Sequence, residues 1–161
     1  MAQIQGINGV QYVRSADPIL AQAYNNNNYQ YATTSHAIDH DMNPGLIVQP
    51  KNDEDIVAVV KYAKANGKAV AIKSGGHQYS GASSTLGDNI LLDLKMTFKD
   101  QNKDLVLLPD TPDGQSHVFV SVSWSLGEFN GFLKNNKKFV PHGQCTTCEL
   151  VDTRRLVAMA S

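Results

Sequence analysis

Apolar and polar positions follow no clear rhythm over residues 1–44 and become regular from Leu46 onward. The stretch "LIVQP" predicts a short strand ended by a proline, which cannot donate to a ladder. "NDEDIVAVVKYAKANG" predicts a helix. Asn52 can cap it, and Asp53, Glu54 and Asp55 crowd the positive end of its dipole. Ile56, Val59, Val60 and Ala63 recur at i, i+3, i+4 and i+7, which makes an apolar stripe. Lys61 and Lys64 lie toward the negative end, and Gly67 is placed to close the helix in a left-handed conformation. "KAVAIK" predicts a returning strand. "NILLDL", residues 89–94, predicts another that is apolar enough to sit centrally in a sheet.

The second half repeats the plan. "LVLLPDTPDGQS" carries a short apolar run and then a turn segment. "HVFVSVSW" alternates, so that Val118, Val120, Val122 and Trp124 face one way. "SLGEFNGFLKNN" predicts a helix opened by a capping box of Ser125 and Glu128. Leu126, Phe129 and Leu133 form its stripe, while its two glycines weaken it. "KKFV" predicts a strand that ends at Pro141. Strand, helix, strand thus occurs twice, and each copy ends in a glycine-bearing loop, "SGGH" and "PHGQC". Sequence alone does not say whether the two loops meet.

Residues 1–44 are read as an irregular lead-in with a short helix near "PILAQAY", because "YNNNNYQYATTSHAIDHDMNPG" is rich in groups that favour turns and local side-chain bonds. A length of 161 residues suits one domain with a real core. Fourteen Lys and Arg against fifteen Asp and Glu leave a net charge of −1. That balance points to neither a nucleic-acid partner nor an anionic membrane face. No apolar run reaches membrane-spanning length. The start, "MAQIQGINGV", has neither a basic nor an apolar signal region, so no secretory signal is expected in this chain and localisation stays unassigned.

The chemistry concentrates in "VAIKSGGHQYSGASST", residues 70–85. Glycines let backbone N–H groups approach an anion without a Cβ in the way, and Ser74 and Ser80 can add hydroxyl donors. A tight surface turn fits the same residues. The loop is neither the phosphate loop of nucleotide hydrolases nor the dinucleotide turn of nicotinamide binders. His77 is open to reading as a base, a metal ligand, an attachment point or an ordinary loop histidine. His142 with Cys145 and Cys148 forms half of a metal site or a redox pair, but His36, His40 and His117 offer no fourth ligand at a compelling spacing, and no metal is assigned.

Residues 45–145 resemble the N-terminal part of the FAD-linked oxidases of the vanillyl-alcohol oxidase superfamily, in particular the berberine bridge enzyme-like and oligosaccharide oxidases. The resemblance rests on "PGLIVQPKNDEDIVAVVKYAK", "VAIKSGGHQYSGASS", "NILLDL" and the pair "SWSLGEF" and "VPHGQC", in the family's order. It implies a PCMH-type FAD-binding domain in which the "SGGH" loop embraces the FAD pyrophosphate. By that resemblance the cofactor contacts are Lys73, Ser74, Gly75, Gly76, His77, Gln78, Ser80 and Gly81, with His142, Gly143 and Cys145 from the second loop. It further implies covalent attachment of the flavin through His77, and through Cys145 in the manner of doubly linked members. Lys73 stands where arginine is common in the family.

After Cys145 the family has a turn-rich "GGHxxTGGYG" segment, whereas this chain reads "CELVDTRRLVAMAS". With freely chosen third bases, codons for "LVDTRRLVAMAS" read in the shifted frame give "GGHAATGGYGQ". Residues 149–161 are therefore expected to be a frameshifted form of that motif. The rival expectation is an authentic tail with a small helix, "TRRLVAMA".

The expectations are an α/β fold, α+β in detail: the first subdomain of the FAD-binding domain, with a short mixed sheet and packed helices. The domains are the lead-in at 1–44, a partial FAD-binding domain at 45–148 and the tail at 149–161. The implied function is oxidation of an alcohol-type or C–H small-molecule substrate by FAD, with molecular oxygen as acceptor, in a truncated chain for which no catalytic base is assigned. Two alternatives stand beside it: a non-catalytic protein that keeps only this lobe, and a small Cys/His metal-binding module.

Overall fold

The computed structural model describes residues 2–30, 42–78, 81–112, 114–140 and 156–160, the last by backbone alone. The chain divides into two units, Met1–Thr97 and Phe98–Ser161.

The first unit contains β1 (Val10–Val13), α1 (Pro18–Asn27), β2 (Leu46–Gln49), α2 (Asp53–Ala65), β3 (Val70–Lys73) and β4 (Ile90–Asp93). The sheet order is β1-β2-β4-β3. β2, β4 and β3 run parallel, and β1 joins β2 antiparallel. β4 is buried along its whole length, as its unbroken apolar run predicts. Alternation splits the sheet between two cores. Leu46, Val48, Ile90 and Leu92 pack with Ile4 and with Val59 and Ala63 of α2, while Ile47 and Leu91 pack with Tyr24 of α1.

Residues 2–30 of the lead-in are more ordered than their composition suggests. Val10–Val13 is a sheet strand, and α1 extends through Asn27. Asp17 caps α1 by accepting from the N–H groups of Ile19 and Leu20, with Pro18 in the first turn, where a missing N–H costs nothing. Strand β1 has only four residues and owes its conformation to its partner, so no local pattern announces it.

Helix α2 forms as expected. Asn52 caps it, and Gly67 follows at φ +60°. Its inward face differs in two respects: Val60 is half-exposed, and Asp55 is buried in the first turn. The Asp55 carboxylate accepts from the backbone N–H groups of Asn8, Gly9 and Lys51 at 2.8–2.9 Å. It thereby ties the lead-in and the end of β2 to the start of α2. Burial pushes this carboxyl up, but the backbone donors of Lys51, Asn8 and Gly9 and the Asn8 amide outweigh it, leaving Asp55 below its ordinary value of 3.8.

The second unit contains β5 (Leu105–Leu108), β6 (Ser116–Val120), α3 (Leu126–Asn135), β7 (Lys138–Phe139) and β8 (Leu156–Ala160). Its order is β5-β6-β8-β7, with every neighbouring pair antiparallel. Leu105, Val118, Val120, Trp124, Phe129 and Leu133 form the core, with Leu126 packed against them. The capping box is present: Ser125 accepts from the Glu128 N–H, and the Glu128 carboxylate accepts from the Ser125 N–H.

The small tail helix is not found, because Leu156–Ala160 is a strand. A helix this short cannot recover the cost of its nucleus alone, whereas β8 has ladder partners on both sides, β6 and β7. In each unit, then, the two strands that flank a helix are separated by a strand supplied later in the chain. In the first unit that strand is parallel, and in the second antiparallel.

Candidate functional site

The three parallel strands of the first unit end side by side at Gln49, Asp93 and Lys73. The carboxyl edge of such a sheet is where open α/β folds place ligands. Here it carries a buried polar row. Lys73 and Asp93 are register partners, and their side chains form an ion pair of 3.0 Å, each no more than 6% exposed. The Gln49 amide donates to Asn27 Oδ1 at 3.0 Å and approaches Asp93 Oδ2 at 3.4 Å. The Lys73 ammonium also donates to the carbonyl of Asn27 at 3.0 Å and faces that of Tyr29 at 3.5 Å. The end of α1 is thus fastened across the strand ends.

The glycine loop rises from this platform. Ser74, Gly75 and His77 are half-buried, Gly76 is buried and Gln78 is exposed. Gly76 has φ +69°, and a Cβ there would lie 3.0 Å from Gln30 Cβ and 3.3 Å from Lys73 Cδ. Only glycine meets both demands without displacing its neighbours. Gln30 also receives the next turn, since Ser83 Oγ donates to its Oε1 at 3.0 Å. Among the described residues, the N–H groups of Gly75 and Gly76 have no hydrogen-bond partner, and the buried Ser84 hydroxyl has none either. Unpaired donors beside a glycine turn can seat an anionic oxygen.

Of the residues expected from sequence, Lys73, Ser74, Gly75, Gly76, His77 and Gln78 are brought together on this loop, and Gly81 follows at φ +76°. Ser80, His142, Gly143, Cys145 and Cys148 lie outside the described residues. Among the described residues no three His, Cys, Asp or Glu side chains converge as a metal site, and no helix is long and apolar enough to cross a membrane.

Sequence reasoning missed Asn27, Gln30, Gln49 and Asp93. One signal was present: Lys73 and Asp93 are single charges ending two otherwise apolar strands, and charges buried in that way are paired.

A family model described as FAD binding domain matches residues 44–148. The FAD-linked oxidoreductase janO of Penicillium janthinellum is 33% identical over 103 residues, which is 64% of this chain and 21% of that protein. The chain therefore spans about a fifth of the length of this curated relative. Among solved structures, 6-hydroxy-D-nicotine oxidase from Arthrobacter nicotinovorans superposes with a TM-score of 0.66 at 18% identity, covering 92% of this chain and 28% of that one. Berberine bridge enzyme from Eschscholzia californica gives 0.64 at 21% identity, covering 89% and 27%. At these identities the likeness is one of fold: the mixed α+β arrangement of short sheet and packed helices expected from the sequence.

Proposed function

The chain belongs to the FAD binding domain family, and from that premise we propose that it holds the FAD of an oxidoreductase on the loop Ser74–Gln78. The observation that carries this reading is the pair of unpartnered N–H groups at Gly75 and Gly76, above the carboxyl ends of three parallel strands. The residues present fit the diphosphate of FAD. Two backbone donors are unpartnered, and the missing Cβ of Gly76 lets the loop sit close on Gln30 and Lys73. Backbone dipoles do this work, since Lys73 already neutralises Asp93.

His77 stands one residue beyond the glycines, and we assign it as the point of covalent attachment to the flavin 8α-carbon, with Cys145 as a second attachment at the ring's 6-position. Each bond removes one hydrogen from the protein atom and one from the flavin carbon, and the two electrons released go to molecular oxygen, which becomes hydrogen peroxide. When bound, the flavin supplies the redox chemistry, taking a hydride from an alcohol-type or C–H carbon and passing the electron pair to oxygen. The protein contributes placement and electrostatics. Ser74 opens the loop as a hydroxyl donor, and Gln78, Ser80, Gly81, His142 and Gly143 complete the proposed contacts.

The intact mass of denatured protein tests this. The expected species carries one FAD less two hydrogens for each bond, and Ala in place of His77 lowers the linked fraction. The rival reading is a lobe that folds without flavin. A folded, colourless protein of bare mass after exposure to FAD would favour it.

A further inference from the structure

The Lys73 ammonium has three N–H donors and three neighbours: Asp93 Oδ2 at 3.0 Å, the Asn27 carbonyl at 3.0 Å and the Tyr29 carbonyl at 3.5 Å. All three belong to the protein, and the residue is 5% exposed. Its aliphatic stem runs beneath Gly76, with Cδ 3.3 Å from where a Cβ would stand. Asn27 and Tyr29 lead directly into Gln30, the other surface on which Gly76 rests. One side chain therefore fastens the end of α1 and forms part of the floor under the loop.

We propose that Lys73 is a positioning residue. Paired with Asp93, it fixes the end of α1 under the glycine loop, so that the Gly75 and Gly76 N–H groups stay ordered and open toward an anion. The inference rests on the reading of this loop as the diphosphate seat, and it changes the part Lys73 plays there, from a direct phosphate contact to a support that acts through Gln30 and Gly76. Asp93 is held in turn, since its other oxygen accepts from the Lys95 N–H at 3.1 Å.

A plain salt bridge would make a different prediction. If the pair mattered only to stability, replacing both charges with apolar groups of similar size would restore everything, because such exchanges of buried pairs are often neutral or stabilising. A positioning role leaves a deficit. Lys73→Met/Asp93→Leu removes the buried charges and, with them, the bonds to the Asn27 and Tyr29 carbonyls.

The experiment compares the full chain with Lys73→Met, Lys73→Met/Asp93→Leu and Lys73→Arg by thermal melting, backbone amide relaxation and FAD titration. Lys73→Met alone is expected to melt early, since it leaves Asp93 buried without its cation. The double variant is expected to regain the melting temperature, while the order parameters of Gly75 and Gly76 fall from about 0.85 to below about 0.6. If the binding-competent loop is then populated about one-tenth of the time, the FAD Kd, titrated in chains that also carry His77→Ala and Cys145→Ala so that no covalent bond forms, rises about tenfold. Lys73→Arg, which keeps the charge and the donors, is expected to hold both glycines rigid. A double variant with a rigid loop overturns the proposal, whether or not FAD binds. A mobile loop in the double variant, in a chain whose wild type takes up no FAD, supports the positioning role and overturns the FAD reading instead.

Discussion

Gly76 concentrates the demands of the site in one residue. Its positive φ and its contacts with Gln30 and Lys73 make any side chain costly. Gly76→Ala is expected to destabilise the first unit by about 1–2 kcal/mol and to weaken FAD uptake, measured by denaturant unfolding and flavin titration. Asp55 answers to pH. Its folded pKa lies below the ordinary 3.8, so its contribution is fully present above that value and is lost as acid carries the pH down through the folded pKa. In that range the unfolded chain binds more protons, and stability rises with pH. Asp55→Asn is expected to cost about 2 kcal/mol near neutrality and to flatten the acid limb of a stability-versus-pH curve. These residues differ in how openly the sequence shows them. The glycines stand out because few roles require two in a row before a histidine. Asp55 looked like one more acid at a helix start, since the donors that surround it come from residues 8, 9 and 51.

At the scale of elements, helices α2 and α3 end alike but for one residue. α2 runs through Asn66 into Gly67 at φ +60°, whereas α3 runs through Asn136 into Lys137 at φ +53°. A side chain in that conformation is strained. Lys137→Gly is expected to raise stability by about 1 kcal/mol, seen as a higher melting temperature. Helices α2 and α3 were legible because caps and apolar stripes are local facts. Glu128 shows the same locality: burial raises its carboxyl, but the Lys99 ammonium at 2.8 Å and the Ser125 N–H and hydroxyl hold it below its ordinary value. β1 and β8 were not legible, because a short strand is defined by its neighbour's edge and nothing in "VQYV" or "LVAMA" names that neighbour. The platform under the loop was hidden for the same reason, since Lys73 meets Asn27 across 46 positions of sequence.

For the whole molecule, the family match and the tail meet in one question. The match ends at residue 148, and the shifted reading of "LVDTRRLVAMAS" restores the motif expected next. The prediction is that the coding DNA carries the third bases that this reading requires. Sequencing the locus checks it, and any other set of bases there returns the tail to the status of authentic protein. β8 lies within this stretch, so either outcome bears on a strand that two others depend on. Deleting Leu156–Ala160 is expected to cost β6 and β7 their shared partner, read as accelerated amide exchange in both.

The placement of β4 between β2 and β3 sets an order of events during synthesis. Both flanking strands and the helix between them leave the ribosome before the strand that joins them. At roughly 5–20 residues per second, the 20 positions from Lys73 to Asp93 represent about 1–4 seconds in which this sheet has both flanking strands and no middle. The glycine loop is already made by then, yet the carboxylate that steadies its support is not. A nascent chain halted in that interval would meet the cell with two unpaired edges and a glycine loop without its support, which makes this interval the time at which a chaperone has most to protect.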